Sequence, residues 1–386
     1  LSKEEIITSI EFLNENSEVL NVNKFGPVQN SKIIIAVQIH NRIEYLRHLI
    51  DTLEKAKNIE DSLLIFSHDF ASIEINKLIR DIKFCRVMQI FYPYNIQLFP
   101  NIYPGQDPED FQGYKVKTDK TYCRAKRIRC KNWQYPDKYG HYRVAKITQI
   151  KHHWWWKINY VFDGIAKRYR LDQLWVIFLE EDHYVSPDFL YVLKKFVIYS
   201  LISLGSHLKT FNNYENEVSK LGVHPWFSSK HNMGMAINSV TWQLIKNCSL
   251  LFCSYDDYNW DWSLLHVSTS CLPKWLQVII TKAPRVLHVG DCGVHTHQCA
   301  VHNAAQQVNL FSRVSESLFP NSVFVSETSR RTLKPSKENG GWGDKRDHEL
   351  CYNNTLTDPL HQLSDHSAHF ALNMVDNITS RFLFPT

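Results

Sequence analysis

The sequence predicts an α/β protein: a Rossmann-like, doubly wound mixed sheet flanked by helices. Three observations predict it. Residues 32–91 read strand, helix, strand, helix, strand, and their strands are apolar runs, as parallel strands buried on both faces are. Leu174-Trp-Val-Ile-Phe-Leu-Glu-Glu-Asp-His-Tyr184 is another such run, and it ends in Glu180, Glu181 and Asp182. Hydrophobic residues make up 44% of the 386, enough to bury a core.

Taken in order, residues 1–30 hold a weakly amphipathic helix (Ile6, Ile7, Ile10, Leu13) and a polar lead-in to Gly26-Pro27, after which the organised part is expected to begin. Lys32–Gln38 reads as a buried parallel strand, and Arg42–Leu53 has apolar residues at helical spacing. Ser62–Asp69 is a second strand, Ala71–Ile82 a second helix and Arg86–Phe91 a third strand. The polar residues that end these strands, Gln38, His40, Asn41, Arg42 and Asp69, should share one rim, because ligands bind outside the carboxyl ends of strands in an open α/β sheet. Residues 95–140, rich in Pro, Gly, Asp and Tyr, form an irregular excursion of the kind that function tolerates. A helical stretch containing Lys151-His-His-Trp-Trp-Trp-Lys157 precedes the acidic strand. Asp188–Ser200 and Val240–Cys248 read as helices, 205–230 as a loop-rich insert and 352–386 as a loosely attached tail.

Lys and Arg total 44 against 39 for Asp and Glu, a net +5, without the runs interleaved with aromatics that a nucleic-acid groove requires; nucleic acid is not an expected partner. Nine cysteines, together with the sequons at Asn247, Asn353 and Asn377, favour an oxidising lumen. Local spacing pairs Cys123 with Cys130 and Cys292 with Cys299, and leaves Cys85 as a thiol beside the third strand. No window of about 18 apolar residues is present, so any membrane attachment is expected through an anchor upstream of Leu1.

Three carboxylates at the carboxyl end of a buried strand are suitable oxygen ligands for a divalent cation, although an acidic turn in solvent has the same pattern. Ser254-Tyr-Asp-Asp-Tyr-Asn-Trp-Asp-Trp262 sets Asp256, Asp257 and Asp261 among four aromatic residues, which would exclude water and raise a carboxyl's proton affinity, as a general base needs. A helix start with capping acids reads the same way. His288 ends a short strand before a Gly turn. Cys292-Gly-Val-His-Thr-His-Gln-Cys299 has zinc-like spacing, but in a lumen a disulfide is the stronger expectation. Three adjacent Trp exceed one helix face, so they either pack several elements or form a sugar or uridine platform. Asn339-Gly-Gly-Trp-Gly343 requires positive φ and is not a phosphate loop.

Val37-Gln-Ile-His-Asn-Arg42, Phe66-Ser-His-Asp69, Gly140-His-Tyr-Arg143, Lys151–Lys157, Phe178–Tyr184, His231-Asn-Met-Gly234, Tyr255–Trp262, His288–Gly293 and Asn339–Asp344 together resemble the N-acetylglucosaminyltransferase II family over about residues 31–351. The resemblance implies a GT-A fold with a donor half over about 31–184 and an acceptor half over about 185–351. It implies a Golgi type II membrane enzyme that transfers GlcNAc from UDP-GlcNAc to the α1,6-arm mannose of an N-glycan with inversion, and it leaves room for a homodimer. Asp182 and His288 would hold Mn²⁺. Donor-binding positions would be Gln38, Ile39, His40, Asn41, Arg42, Asp69, Gln149, Ile150, Lys151, His152 and His153, with Glu180 and Glu181. Asp261 would be the base, with Asp257 second, and the resemblance also pairs Cys248 with Cys271 and Cys253 with Cys351. The insert 205–230 departs from the family pattern, so a donor-contacting Arg expected there cannot be assigned. The rival expectations are a related β1,2-transferase acting on the α1,3 arm or on O-mannose, and an inactive glycan-binding relative.

Overall fold

A computed structural model describes residues 3–111, 124–171, 174–196, 201–207, 213–290, 309–330 and 337–356. Its strands are β1 (Val19–Leu20), β2 (Ile33–Ile39), β3 (Ser62–His68), β4 (Arg86–Phe91), β5 (Trp175–Glu180), β6 (His183–Val185), β7 (Leu201–Ser203), β8 (Lys220–Pro225), β9 (Met235–Asn238), β10 (Gln277–Thr281), β11 (Val286–His288) and β12 (Phe324–Thr328). The main sheet has the order β1-β4-β3-β2-β5-β9-β7-β10-β8-β12, and β11 pairs with β6 in a separate two-stranded ribbon. β4, β3, β2 and β5 are parallel, the doubly wound half that the sequence predicts; β9 then runs antiparallel to β5 and makes the sheet mixed.

Alternation along the central strands builds two cores. Ile33, Ile35, Val37 and Ile39 face Leu46, Leu49 and Leu53 of α2 (Ile43–Glu54), Ile75 and Ile79 of α3 (Ile73–Arg80), and α5 (Phe189–Leu193). Ile34 and Ala36 face the opposite core, filled by α4 (Ala145–Asn159), α6 (Ser239–Lys246), α7 (Ser249–Ser254) and α8 (Trp260–Ser270). Trp154, Trp155 and Trp156 are all buried, which resolves the triple-Trp alternatives in favour of packing. Trp154 stacks on Trp260 at 4.2 Å between centroids and 4° between planes, while Trp155 stacks on Phe252 at 4.1 Å. Such pairs add about 0.5–1.5 kcal/mol each beyond burial. Here they clamp α4 to α7 and α8.

Several boundaries differ from the sequence reading. The organised part begins before residue 30: in α1 (Lys3–Asn16), the Asn14 side chain exchanges hydrogen bonds with the Phe91 backbone at 2.7 and 2.8 Å, and β1 pairs with β4. The insert 205–230 contains β8, whose Gly222, His224 and Pro225 are poor strand formers; β10 on one side and β12 on the other supply the pairing that overrides propensity. The expected helix from Asp188 ends as a 3-10 turn at Lys194–Phe196. The first residues of the expected tail belong to α9 (Lys345–Leu356), where Thr355 Oγ1 accepts the Trp155 Nε1 hydrogen at 2.8 Å. Cys248–Cys271 and Cys253–Cys351 are bonded. Cys123, Cys292, Cys299 and Asn377 lie outside the described residues. Asn247 is exposed at the end of α6, Asn353 is half-buried on α9, and burial raises the Cys85 thiol pKa. No described helix is long and apolar enough to cross a membrane.

Candidate active site

β5 delivers Glu180 to the sheet edge, and the chain turns through Glu181 and Asp182 into β6. The Glu181 N–H donates to the Gln38 carbonyl at 3.0 Å, which lays the turn against the end of β2. In the β6–β11 ribbon His288 stands opposite His183. His288 Nε2 therefore reaches Asp182 Oδ2 at 3.1 Å, and Arg42 bridges Asp182 Oδ2 at 2.7 Å and Glu181 Oε1 at 2.6 Å. The fit requires Gly290, since a Cβ there would stand 2.3 Å from Asp182 Oδ2. Burial alone would raise the Asp182 pKa, but the His288 hydrogen bond and the charges of His288 and Arg42 outweigh it and hold this carboxyl well below the usual range. Burial and the neighbouring Asp182 raise Glu180 instead.

Asp182 Oδ1 is buried and has no hydrogen-bond partner among the described residues. An orphaned carboxylate oxygen is an open ligand position. Glu180, Asp182 and His183 each present a ligand atom within 4.8 Å of the others, and His183 accepts the Glu180 N–H through Nδ1 at 3.1 Å, which leaves Nε2 to offer. Carboxylate oxygens with imidazoles suit a divalent cation of the Mn²⁺ kind, so the residues fit that group. His183 was not singled out from the sequence; the signal for it was its place at the end of the acidic run.

The rim also assembles as expected. His40 Nδ1 lies 2.6 Å from Asp69 Oδ1, and Gln149 Nε2 donates to Asp69 Oδ2 at 2.9 Å. His153, buried, lies 2.8 Å from Ser67 Oγ and 3.6 Å from Asp69 Oδ2. These imidazole contacts overcome burial and hold the Asp69 pKa down. Gln149 and His153 thus brace the rim from beneath. Four of the expected donor positions turn their side chains away from the rim. Ile39 turns its side chain into the core, so only its backbone faces the rim, and Ile150 packs half-buried against the other core. Lys151 and His152, expected at the donor, are wholly buried: Lys151 donates to the carbonyls of Tyr255 at 3.1 Å and Asp257 at 3.0 Å, and His152 pairs with Asp347 at 2.9 Å. Lys157, which drew no attention in the sequence, donates to Gln38 Oε1 at 2.7 Å.

Asp261 sits in the first turn of α8. Oδ1 accepts the Trp262 N–H at 2.9 Å and Oδ2 accepts Asn232 Nδ2 at 2.9 Å. Burial, with the charges of Asp257 and Glu180, lifts its pKa to about 7 despite those two donors. Asn232, itself 2.7 Å from His207 Nε2, belongs to the site, and its only sequence signal was the His231–Gly234 motif. Asp257, the second candidate, is surrounded differently. It is fully buried; Oδ1 accepts from both nitrogens of Asn259, and Oδ2 from the backbone and side chain of Asn339, at 2.9–3.1 Å. Asp256 is likewise taken up by the N–H groups of Lys138 and Trp342. Gly340 and Gly341, with φ of 77° and 76°, let the 339–343 turn close on this loop.

An acidic cluster at the carboxyl ends of the parallel strands, with a carboxyl of raised proton affinity near enough to feel its charge, is an arrangement suited to metal-assisted group transfer in an open α/β sheet. Residues 7–351 match the profile of the family described as N-acetylglucosaminyltransferase II (MGAT2), and the chain belongs to that family. The alpha-1,6-mannosyl-glycoprotein 2-beta-N-acetylglucosaminyltransferase of Sus scrofa is 42% identical over 351 residues, covering 88% of this chain and 77% of that one. The Homo sapiens enzyme of the same name is 42% identical over 350 residues, with the same shares covered. The Arabidopsis thaliana enzyme of that name is 29% identical over 355 residues, 86% of this chain and 76% of that one. The crystal structure of S. aureus TarS 1-349 is similar over 74% of this chain and 72% of that one, at 8% identity and a TM-score of 0.36, too distant to carry an argument.

Proposed function

We propose that the chain transfers GlcNAc from UDP-GlcNAc in β1,2 linkage to the α1,6-arm mannose of N-glycans, with inversion and with Mn²⁺ as cofactor, in the Golgi lumen. The reading draws on membership of the family and on the names of the relatives. The observation that carries it is Asp261, a carboxyl whose pKa of about 7 suits it to accept a hydroxyl proton near neutral pH.

Asp182, with His288, Glu180 and His183 around it, would hold the Mn²⁺, which when bound would offset the charge of the departing diphosphate. Arg42 keeps Asp182 and Glu181 in register, and Gln38, His40, Asn41 and Asp69 form the rim that would orient the donor. Asp261 takes the proton of the mannose 2-hydroxyl as its oxygen bonds the anomeric carbon. The anomeric C–O bond to phosphate breaks on the opposite face, and UDP leaves with the electron pair. An inverting transferase needs only one carboxylate at the anomeric carbon, whereas a retaining hydrolase needs a second as nucleophile.

The test is mass spectrometry with linkage analysis of the product from UDP-GlcNAc and a defined hybrid N-glycan. One GlcNAc added β1,2 to the α1,6 arm is expected; transfer only to the α1,3 arm or to O-mannose, or no transfer, overturns the reading. Excess EDTA should abolish turnover and Mn²⁺ should restore it, and undiminished turnover in EDTA would remove the metal from the mechanism. Asp182→Asn should weaken Mn²⁺ and UDP binding together, which calorimetry reads without turnover.

A further inference from the structure

The overall balance of +5 conceals a local run. In Arg124-Ala-Lys-Arg-Ile-Arg129, four of six residues are basic, and no acid interrupts them. Residues 124–127 form one helical turn that ends at Arg129, a non-glycine residue with φ of 55°. Arg124, Lys126, Arg127 and Arg129 are all exposed. Beneath them Ala125 and Cys130 are buried in a small core with Phe111 and Tyr142, and the Tyr142 hydroxyl donates to the Trp133 carbonyl at 2.8 Å. The Ile128 N–H bonds to the Arg124 carbonyl at 3.1 Å and the Cys130 N–H to the Ala125 carbonyl at 3.2 Å, so the turn is fastened to that core. It is a fixed knob that presents a cluster of cations.

Among the described residues, those cations have no acidic partner. No described acid pairs with Arg124, Arg127 or Arg129, and Lys126 lies over the Trp133 ring at 5.4 Å. Lys131, two residues on, differs: Asp107 at 3.1 Å and Glu109 at 2.5 Å hold it. Like charges three residues apart on one turn, Arg124 with Arg127 and Lys126 with Arg129, repel. A solvated face would normally intersperse both signs.

We propose that this knob is a docking site for a sulfated glycan, a polyanion carrying sulfate groups along a saccharide chain. Three of the four cations are Arg, whose planar fork grips oxyanions two bonds at a time. Basic runs of this length are the recognised footprint of heparin-like chains or nucleic acid. The disulfides Cys248–Cys271 and Cys253–Cys351 place the chain in an oxidising compartment, where nucleic acid is not the available polyanion. A bilayer surface is disfavoured because the turn carries a single exposed apolar side chain, Ile128 at 55% exposure, and no amphipathic face. The site is distinct from the residues assigned to donor, metal and base, and does not depend on their assignment.

The experiment measures binding of a defined heparin oligosaccharide to the full chain across a salt series. Three forms are compared: the unmodified protein, a variant carrying Arg124→Ala, Arg127→Ala and Arg129→Ala, and a control carrying Lys55→Ala, Lys77→Ala and Lys83→Ala. The arginine variant should bind at least about tenfold more weakly, with the slope of log affinity against log salt reduced by roughly 2 to 3, as counterion release requires. The control should bind as the unmodified protein does. Turnover of glycan acceptor should be equal in all three, which also verifies folding; Arg127→Glu alone is the fallback if the triple variant is lost. Equal weakening by the control would mean that net charge alone is responsible. Binding only to phosphatidylserine vesicles would mean that the surface is a membrane contact, and no binding at about 0.15 M salt would mean that the cluster is merely solvated. Each of these three outcomes overturns the proposal.

Discussion

Asp257 and Asp261 stand four residues apart in one acidic, aromatic segment, yet the fold gives them different surroundings. Asp257 accepts four hydrogen bonds from two asparagines and has no capacity left for a substrate proton. Asp261 accepts two, and burial together with the charges of Asp257 and Glu180 lifts its pKa to about 7. Asp261→Asn keeps the side chain's size but cannot take a proton, so kcat should fall by about 10²–10⁴-fold with UDP affinity nearly unchanged. Steady-state kinetics and calorimetry read the two halves of that statement. A base works deprotonated, so kcat of the unmodified enzyme should be flat above a pH of about 7 and fall on the acid side, tenfold per unit. A pH profile without that acid limb would remove Asp261 from the role.

At the scale of elements, α4 is the member that joins the proposed donor rim to the proposed base. From one face it sends Gln149 and His153 to Asp69 and Lys157 to Gln38; from another it sends Lys151 to the loop before α8 and His152 to Asp347 on α9; and Trp154 stacks on Trp260, the residue before Asp261. Lys151 is buried, and burial lowers its pKa to about 7. Lys151→Met preserves bulk and removes both donors, leaving the carbonyls of Tyr255 and Asp257 without their partner at about 1–3 kcal/mol each. The variant should melt at lower temperature and lose kcat with little change in UDP affinity, because the loop that carries the base loosens while the rim does not. Weakened UDP binding with normal kcat would return Lys151 to the donor site. None of this was visible in the sequence Lys151–Lys157, where periodicity predicts a helix but gives no indication of which turn meets which neighbour.

For the whole molecule, the Cys253–Cys351 bond closes a span of 98 residues and ties α7 to α9, on either side of the base loop. A loop of that length constrains the unfolded chain by up to about 4–5 kcal/mol, so Cys253→Ser with Cys351→Ser should lower the melting temperature by several degrees in differential scanning calorimetry. Unchanged melting would mean that the packing of α9 on α4 already supplies the constraint. The parallel half of the sheet, the acidic end of β5, the rim residues and the glycine turn at 339–343 were all legible in the sequence, because apolar runs, strand ends and positive-φ positions are local properties of the chain. The strands β7 to β10 and β12 were not: β7, β9, β10 and β12 are too short to show a period, β8 carries Gly222, His224 and Pro225, and each becomes a strand by pairing with neighbours distant in sequence. Nor could the sequence distinguish Asp261 from Asp257, or a rim residue from its buried support. Those distinctions depend on desolvation and on which distant donors, Asn232, Asn339 and Trp262 among them, meet each carboxylate, and these are set only when the chain folds.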